Sequence, residues 1–207
     1  MNVEHKRDTE PPCKSNAHVC RTLMQYKDGE EDNFIVDEGK NCACDNCSTT
    51  WSEHDRYSFT WQHFKRLDMI VQYKLCGPIM PERICNDDEV AALMETEVNG
   101  WHIHMREERC RCKNNIFYLR GWEKRNNLWI YEYRCKKVVC ATDGAVCAKV
   151  YVNRALGEAL KYQFTCLCQN SRQCVTEVDI VPNMYTDDDE HGEYVPRMCD
   201  QIIGKGR

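Results

Sequence analysis

Sixteen cysteines in 207 residues constrain this chain more than any other feature. At close to 8% of the sequence they mark a disulfide scaffold, and an even number allows complete pairing into bridges. Such bridges form in oxidising compartments, so the expected location is secreted and extracellular. The competing reading, a zinc protein, needs two C-x-x-C pairs at compatible spacing. Only Cys44-Asp45-Asn46-Cys47 has that form.

The cysteines repeat in order. Three times a Cys is followed by a stretch of about twenty residues and then C-x-C. The instances are Cys20 to Cys42-Ala43-Cys44, Cys85 to Cys110-Arg111-Cys112 and Cys147 to Cys166-Leu167-Cys168, with 21, 24 and 18 residues intervening. A later Cys closes each unit: Cys76, Cys135 and Cys199. Cys13 and Cys140 open the first and third units by the same C-x6-C step to Cys20 and Cys147, and Cys47 and Cys174 complete the set of structural disulfide cysteines. A period of about 60–65 residues makes internal repetition the organising feature.

Between the cysteines the pattern is strand-like. Ser58-Phe59-Thr60-Trp61, Met69-Ile70-Val71-Gln72-Tyr73, Ile116-Phe117-Tyr118-Leu119 and Leu128-Trp129-Ile130-Tyr131-Glu132-Tyr133 are rich in β-branched and aromatic residues. A further pair is Lys149–Val152 with Lys161–Cys166, whose link from Asn153 to Leu160 could hold a helical turn. The polar stretch 120–127 reads as a hairpin tip. On a strand, residues i and i+2 share a face, so the two cysteines of C-x-C can bridge to different partners on one side of a β-finger. The fold class expected is mostly β, with small disulfide-rich β-hairpin or β-finger modules in tandem: 1–12 a flexible leader, 13–76, 77–135 and 136–199 the first, second and third modules, and 200–207 a tail. Sixteen cysteines allow about two million pairings, so connectivity stays open.

Composition narrows the function. A net charge of −5 argues against a broad nucleic-acid footprint. Mean hydropathy is −0.70, so the apolar core is expected to be thin and the bridges to supply much of the stability. No stretch has the apolar length of a membrane span. Residues 1–30 hold no signal-peptide core, so a mature form is the expectation; Lys6-Arg7 is a candidate processing site.

Motifs of catalysis are missing: no G-x-S-x-G, no H-E-x-x-H and no phosphate-cradling glycine loop. The chain is therefore read as no enzyme, with no cofactor and no metal. Cys44 and Cys47 lack the βαβ context of a redox pair. His102 and His104 have the spacing to share a metal on one strand face, but no other His lies nearby in sequence, which favours a structural pair. Asp187-Asp188-Asp189-Glu190-His191 lacks calcium-loop spacing and reads as a solvated tip. Asn46-Cys47-Ser48 matches the glycosylation sequon and is read as unused.

One segment stands out as a binding surface. Arg120, Trp122, Lys124, Arg125 and Trp129 alternate basic and aromatic character, and Arg134, Lys136 and Lys137 come next. Trp and Arg are enriched at binding hot spots. The candidate binding residues are Arg120, Trp122, Lys124, Arg125, Lys136 and Lys137.

From Cys110 onward the chain reads C-R-C, a strand pair ending Tyr131-Glu132-Tyr133-Arg134-Cys135, then Cys140, Cys147, Cys166-Leu167-Cys168-Gln169, Cys174 and Cys199. This pattern resembles the C-terminal region of Argos-type proteins, secreted insect antagonists of epidermal-growth-factor signalling. In length and cysteine load the chain is also similar to scoloptoxin family eleven, the large Cys-rich toxins of centipede venom. The latter is preferred because Argos-type proteins carry long low-complexity insertions, which this chain lacks. The resemblance implies a secreted venom toxin that binds an extracellular target, in particular an ion channel such as a voltage-gated potassium channel. The alternative is an Argos-like antagonist that sequesters an epidermal-growth-factor-type ligand. Either way the expected partner is an extracellular protein, reached without nucleic acid or membrane insertion.

Overall fold

A computed structural model describes residues 11–26, 34–64, 68–79, 81, 83–100, 102–142, 144–169, 172–181 and 184–201. Lys6-Arg7, most of the leader and most of the tail lie outside these residues. Among those described, every regular element is a strand, in agreement with a mostly β, disulfide-rich fold. In chain order the strands are β1 (Val19–Tyr26), β2 (Phe34–Lys40), β3 (Ser58–Gln62), β4 (Met69–Leu75), β5 (Ala92–Glu97), β6 (His104–Glu108), β7 (Phe117–Arg125) and β8 (Leu128–Arg134). They continue with β9 (Val146–Asn153), β10 (Glu158–Phe164), β11 (Arg172–Cys174), β12 (Asp187–Asp189) and β13 (Gly192–Gln201).

The repeat seen in the cysteines is a repeat of topology. The first unit runs β2-β1-β4-β3, all antiparallel, and the second runs β6-β5-β8-β7 in the same manner. In the third, β10-β9-β13 takes the same path, with β11 and β12 sharing the place beside β13. Pairing repeats too. The first unit holds Cys13–Cys42, Cys20–Cys47 and Cys44–Cys76; the third holds Cys140–Cys166, Cys147–Cys174 and Cys168–Cys199. The second holds Cys85–Cys110 and Cys112–Cys135, the same scheme without its middle bridge. In every unit the C-x-C cysteines part to different partners, the geometry an i, i+2 pair on one strand face permits.

A short backbone clasp accompanies each C-x-C. The residue before the opening cysteine pairs in parallel with the residue between the two cysteines: Pro12 with Ala43, Ile84 with Arg111, Val139 with Leu167. The opening cysteine's N–H donates to that middle residue's carbonyl at 3.0, 3.0 and 2.9 Å respectively. Cys44 and Cys47 bond to Cys76 and Cys20, not to each other, so they form no redox pair.

The first and third units keep small clusters of their own, Cys20, Cys42 and Cys76 in one and Val150, Val152 and Val195 in the other, but most of the core is shared. One apolar cluster runs from Val19, Phe59 and Leu75 through Met94, Phe117 and Tyr133 to Phe164 and Cys199. Phe59 stacks on Phe117 with ring centroids 4.3 Å apart and meets Tyr133 edge-on. Strand β7 joins the units: it pairs in parallel with β3 at Phe117 and Tyr118, and antiparallel with β10 from Gly121 to Glu123. Strand β4 is buried throughout. Its polar residues are satisfied there, as burial demands: Gln72 Nε2 donates to Ser52 O and Thr60 Oγ1, both at 2.8 Å. Lys74 Nζ donates to Asp55 Oδ2 at 3.0 Å and Ser58 Oγ at 2.7 Å.

Two sequence readings change. Residues 120–127 are not a tip: β7 extends to Arg125, and the turn is Asn126-Asn127, with Asn126 at φ 57°, where Asn is among the few side chains tolerated. The polar residues misled because a strand face covered by ion pairs has the composition of a loop. Residues 153–160 hold a turn with Gly157 at φ 64° rather than a helical turn, and β10 begins at Glu158.

Candidate binding surface

The β7–β8 finger sorts its side chains by face. On β8, Trp129, Tyr131 and Tyr133 point one way, while Ile130 and Glu132 point the other, as alternation requires. On β7 the register shifts between Leu119 and Gly121. That bulge at Arg120 inserts one residue and re-aims the side chains from Gly121 to Arg125. Leu119 therefore lies opposite Tyr133, Trp122 opposite Tyr131, and Lys124 opposite Trp129, all on the aromatic face.

The cations of the finger are largely neutralised within the chain. Lys124 Nζ donates to Glu158 Oε2 at 2.9 Å, bridging to the third unit. Arg125 pairs with Glu123, and Arg120 Nη1 stands 3.9 Å from Glu132 Oε2. Lys136 Nζ reaches Asp88 Oδ2 at 3.3 Å. Lys137 is exposed and makes no ion pair among the described residues. Arg120 lies in a hollow of about 240 Å³ of mixed charge, shared with Glu123, Glu132 and Lys161. The basic-aromatic alternation of the sequence is thus a paired-charge face and a separate aromatic face.

The aromatic face closes against the first unit to form a cup of about 290 Å³. Trp61, Phe64 and Tyr73 contribute from β3, its following residues and β4; Tyr131, Tyr133, Trp122 and Trp129 contribute from the finger. Met94, Leu119 and Ile103 complete the lining, and no charged side chain of the described residues takes part. Trp122 is half-buried. It stacks on Tyr162 at 4.5 Å between centroids and meets Phe64 edge-on at 5.4 Å. Trp61 is buried, meets Tyr133 edge-on at 5.8 Å, and its Nε1–H makes no well-formed hydrogen bond. Burial, reinforced by neighbouring Tyr131, pushes the Tyr73 phenol far above the usual tyrosine range; the Trp61 N–H beside it offsets this only in part. Burial also raises Tyr131 and Tyr133. All three phenols therefore stay protonated and uncharged. Sequence reasoning found Trp122 and Trp129 through their alternation with cations. It missed Trp61 and Tyr73, which reach the cup only through inter-unit packing, and Met94, which stands opposite Tyr131 in the β5–β8 pairing.

Three other sequence candidates find their places. His18, from the first unit, joins His104 and His102: its ring centroid lies 3.8 Å from that of His104 and 6.5 Å from that of His102. His18 Nδ1 already accepts the Ser15 N–H at 3.0 Å. Trp101 lies outside the described residues. The acidic run is structured rather than a free tip: Asp189 accepts from Lys149 Nζ at 2.6 Å and Tyr151 Oη at 2.9 Å. The hydrogen bond from Lys149 leads in holding its carboxyl at about 2. Asn46 Nδ2 donates to Cys76 O at 3.3 Å. The clusters of three cysteines that could otherwise ligate a metal consist of disulfide-bonded sulfurs.

Fold and surface together define a Cys-rich, all-β protein of the kind found in oxidising, extracellular surroundings. Among the described residues no helix is long and apolar enough to cross a membrane. No protein family matches the chain, and no curated protein does. Among solved structures the chain is similar to unliganded Argos, at 16% identity over 93% of both chains with a TM-score of 0.41. A likeness of that degree assigns neither family nor function.

Proposed function

We propose that this chain is an extracellular binding protein, not an enzyme, that captures a protein ligand of the epidermal-growth-factor type through its β-fingers. The observation that carries the reading is the division of the β7–β8 finger. Its cations Arg120, Lys124 and Arg125 are paired with Glu132, Glu158 and Glu123, while its tryptophans help to line a cup in which no charged side chain of the described residues takes part. Neutral aromatic concavity suits the apolar anchor of a folded partner. Among the described residues its titratable groups are the phenols of Tyr73, Tyr131 and Tyr133, which burial keeps protonated. The Argos-like order of cysteines points the same way.

The channel-directed venom toxin needs a free cation beside an aromatic to enter an acidic vestibule. Lys124, on the same face as Trp122, is held by Glu158, which counts against that role. Surface-immobilised protein tested against an epidermal-growth-factor-type domain is expected to retain it, with binding little changed between 50 and about 500 mM salt because exposed ion pairs are screened while apolar contacts are not. No retention, together with block of voltage-gated potassium currents that is lost in Lys124→Ala, would overturn the reading in favour of the toxin.

A further inference from the structure

We infer that Tyr185 is a site of tyrosine O-sulfation, made while the chain travels the secretory route, so that the third unit presents a sulfate ester at its edge. The inference rests on the extracellular reading and adds a fixed negative charge to it.

Exposure singles out this phenol. Of the ten tyrosines Tyr185 alone is exposed, at 71%. It lies outside the strands, two residues before β12, whose pairing with β13 begins at Asp187. Its Oη–H donates to Asp187 Oδ1 at 2.8 Å, and a phenol oxygen that donates one hydrogen bond keeps its lone pairs for reaction. Tyr194 also has an acidic neighbour, Glu193, but it is half-buried in β13 with Lys149 Nζ 4.4 Å from its ring centroid. The same chemistry does not reach it there.

Charge and backbone supply what a transferase reads. The sulfuryl donor is a nucleotide phosphosulfate, so an enzyme that binds it is basic around its cleft, and an acidic segment is drawn towards such a field. Tyr185 is followed by Asp187, Asp188, Asp189 and Glu190. Lys149 engages Asp189 and Arg154 engages Glu193, while no Lys or Arg of the described residues pairs with Asp187, Asp188 or Glu190. The chain is already extended here. Among the described residues β12 pairs with β13 alone, which leaves its other edge open to lie along a cleft as an added strand does. No bridged cysteine falls between Cys174 and Cys199 to bar the approach. In the reaction the Tyr185 oxygen bonds to the sulfur, the sulfur–oxygen bond to the donor's phosphate breaks, and the nucleotide bisphosphate leaves. The phenol proton passes to a base of the transferase, and nothing is oxidised or reduced.

The full chain, carried through the secretory pathway of cultured insect cells behind a signal peptide, tests this by mass spectrometry of the disulfide-intact product and its peptides. One sulfate is expected on Tyr185, resistant to alkaline phosphatase and lost in acid. It should vanish in Tyr185→Phe, and in wild type when chlorate in the medium stops synthesis of the donor, and it should persist in Tyr194→Phe. Asp187→Asn/Asp188→Asn should lower its occupancy about tenfold through loss of the steering charge. If the chain is not exported, the purified protein is incubated with a Golgi tyrosine sulfotransferase and the phosphosulfate donor, and the same products are expected. An unmodified Tyr185, sulfate on another tyrosine, unchanged occupancy in the double Asn variant, or phosphate on Tyr185 or Thr186 in its place would overturn the inference. The two proposals separate cleanly. If Tyr185 is sulfated but no growth-factor-type domain is captured, the modification stands and the ligand class falls. If such a domain is captured by a protein that carries no sulfate, capture stands and the modification falls.

Discussion

Gly121 faces Tyr162 across the junction of the second and third units so closely that a Cβ on Gly121 would stand 2.1 Å from the Tyr162 carbonyl oxygen. The obstacle is backbone, which cannot swing aside as a side chain can. This close approach allows β10 to pair with β7 at Gly121, Trp122 and Glu123. Gly121→Ala should therefore loosen the second unit from the third, costing about 1–3 kcal/mol as overpacking does, while every disulfide still forms. Thermal unfolding of the intact protein, with disulfide mapping of the same sample, checks both halves. An unchanged midpoint would contradict the geometry.

The His18–His104 contact makes the first junction sensitive to acid. Burial, then the neighbouring His104 and His102 with Lys14, holds the His18 pKa below 6.5. Burial comes first for His104 as well, with Glu95 and Glu97 pulling the other way against His102 and Lys14. A base with a depressed folded-state pKa leaves the unfolded chain binding more protons. Its contribution is present in full above about pH 6.5 and is lost as the pH falls below. Glu108 opposes this trend: burial pushes its carboxyl up to about 7, so the folded chain holds that proton more tightly. The comparison is therefore between proteins rather than along one curve. Melting temperatures from pH 7.5 to 5 should fall less in His18→Gln than in wild type. Parallel curves would remove the histidines from the account.

Removing the Asp55 carboxylate should be far worse than removing the whole polar pair. Lys74 is fully buried, with its ammonium held by Asp55 and Ser58. Breaking such a pair from one side leaves an uncompensated charge and costs about 3–5 kcal/mol, whereas replacing both partners with apolar groups is often close to neutral. Denaturation of Asp55→Ala beside Asp55→Leu/Lys74→Met tests it, the expectation being a double variant clearly more stable than the single.

The middle bridge of the third unit is expected to be dispensable for fold. The second unit keeps the four-strand order without an equivalent. Cys147→Ala/Cys174→Ala opens a link of sequence separation 27, for which loop-closure entropy gives about 3–4 kcal/mol. Peptide mapping should show the other seven bridges unchanged and the melting point lowered. Scrambling of Cys140–Cys166 or Cys168–Cys199 would show that the bridge also directs pairing.

Much of the architecture was legible where local chemistry repeats. The C-x-C spacing led to the inference that its two cysteines serve different partners, because strand alternation puts them on one face. The aromatic and β-branched runs located β3, β4, β8 and parts of β7, β9 and β10. Strands such as β2, with Asp37, Glu38 and Lys40, and β6, with Arg106, Glu107 and Glu108, went unread. Most of their polar residues look outward or pair with other strands, as Arg106 does with Glu95 at 3.0 Å, while Glu108 is turned inward, and local propensity carries no sign of either.

The amino-acid order by itself thus determined a disulfide-framed, repeating β protein for an oxidising compartment, because cysteine count and two-residue periodicity are local properties. Only the tertiary structure decided which of the many pairings is made, that three units share one main core, and that Lys124 is spent on Glu158. It also decided that Trp122 faces a cup with Trp61 rather than solvent. The physical reason is that each of these depends on contacts between residues distant in the chain. One of them turns on a single bulge at Arg120, and a one-residue change of register reverses the face of everything beyond it.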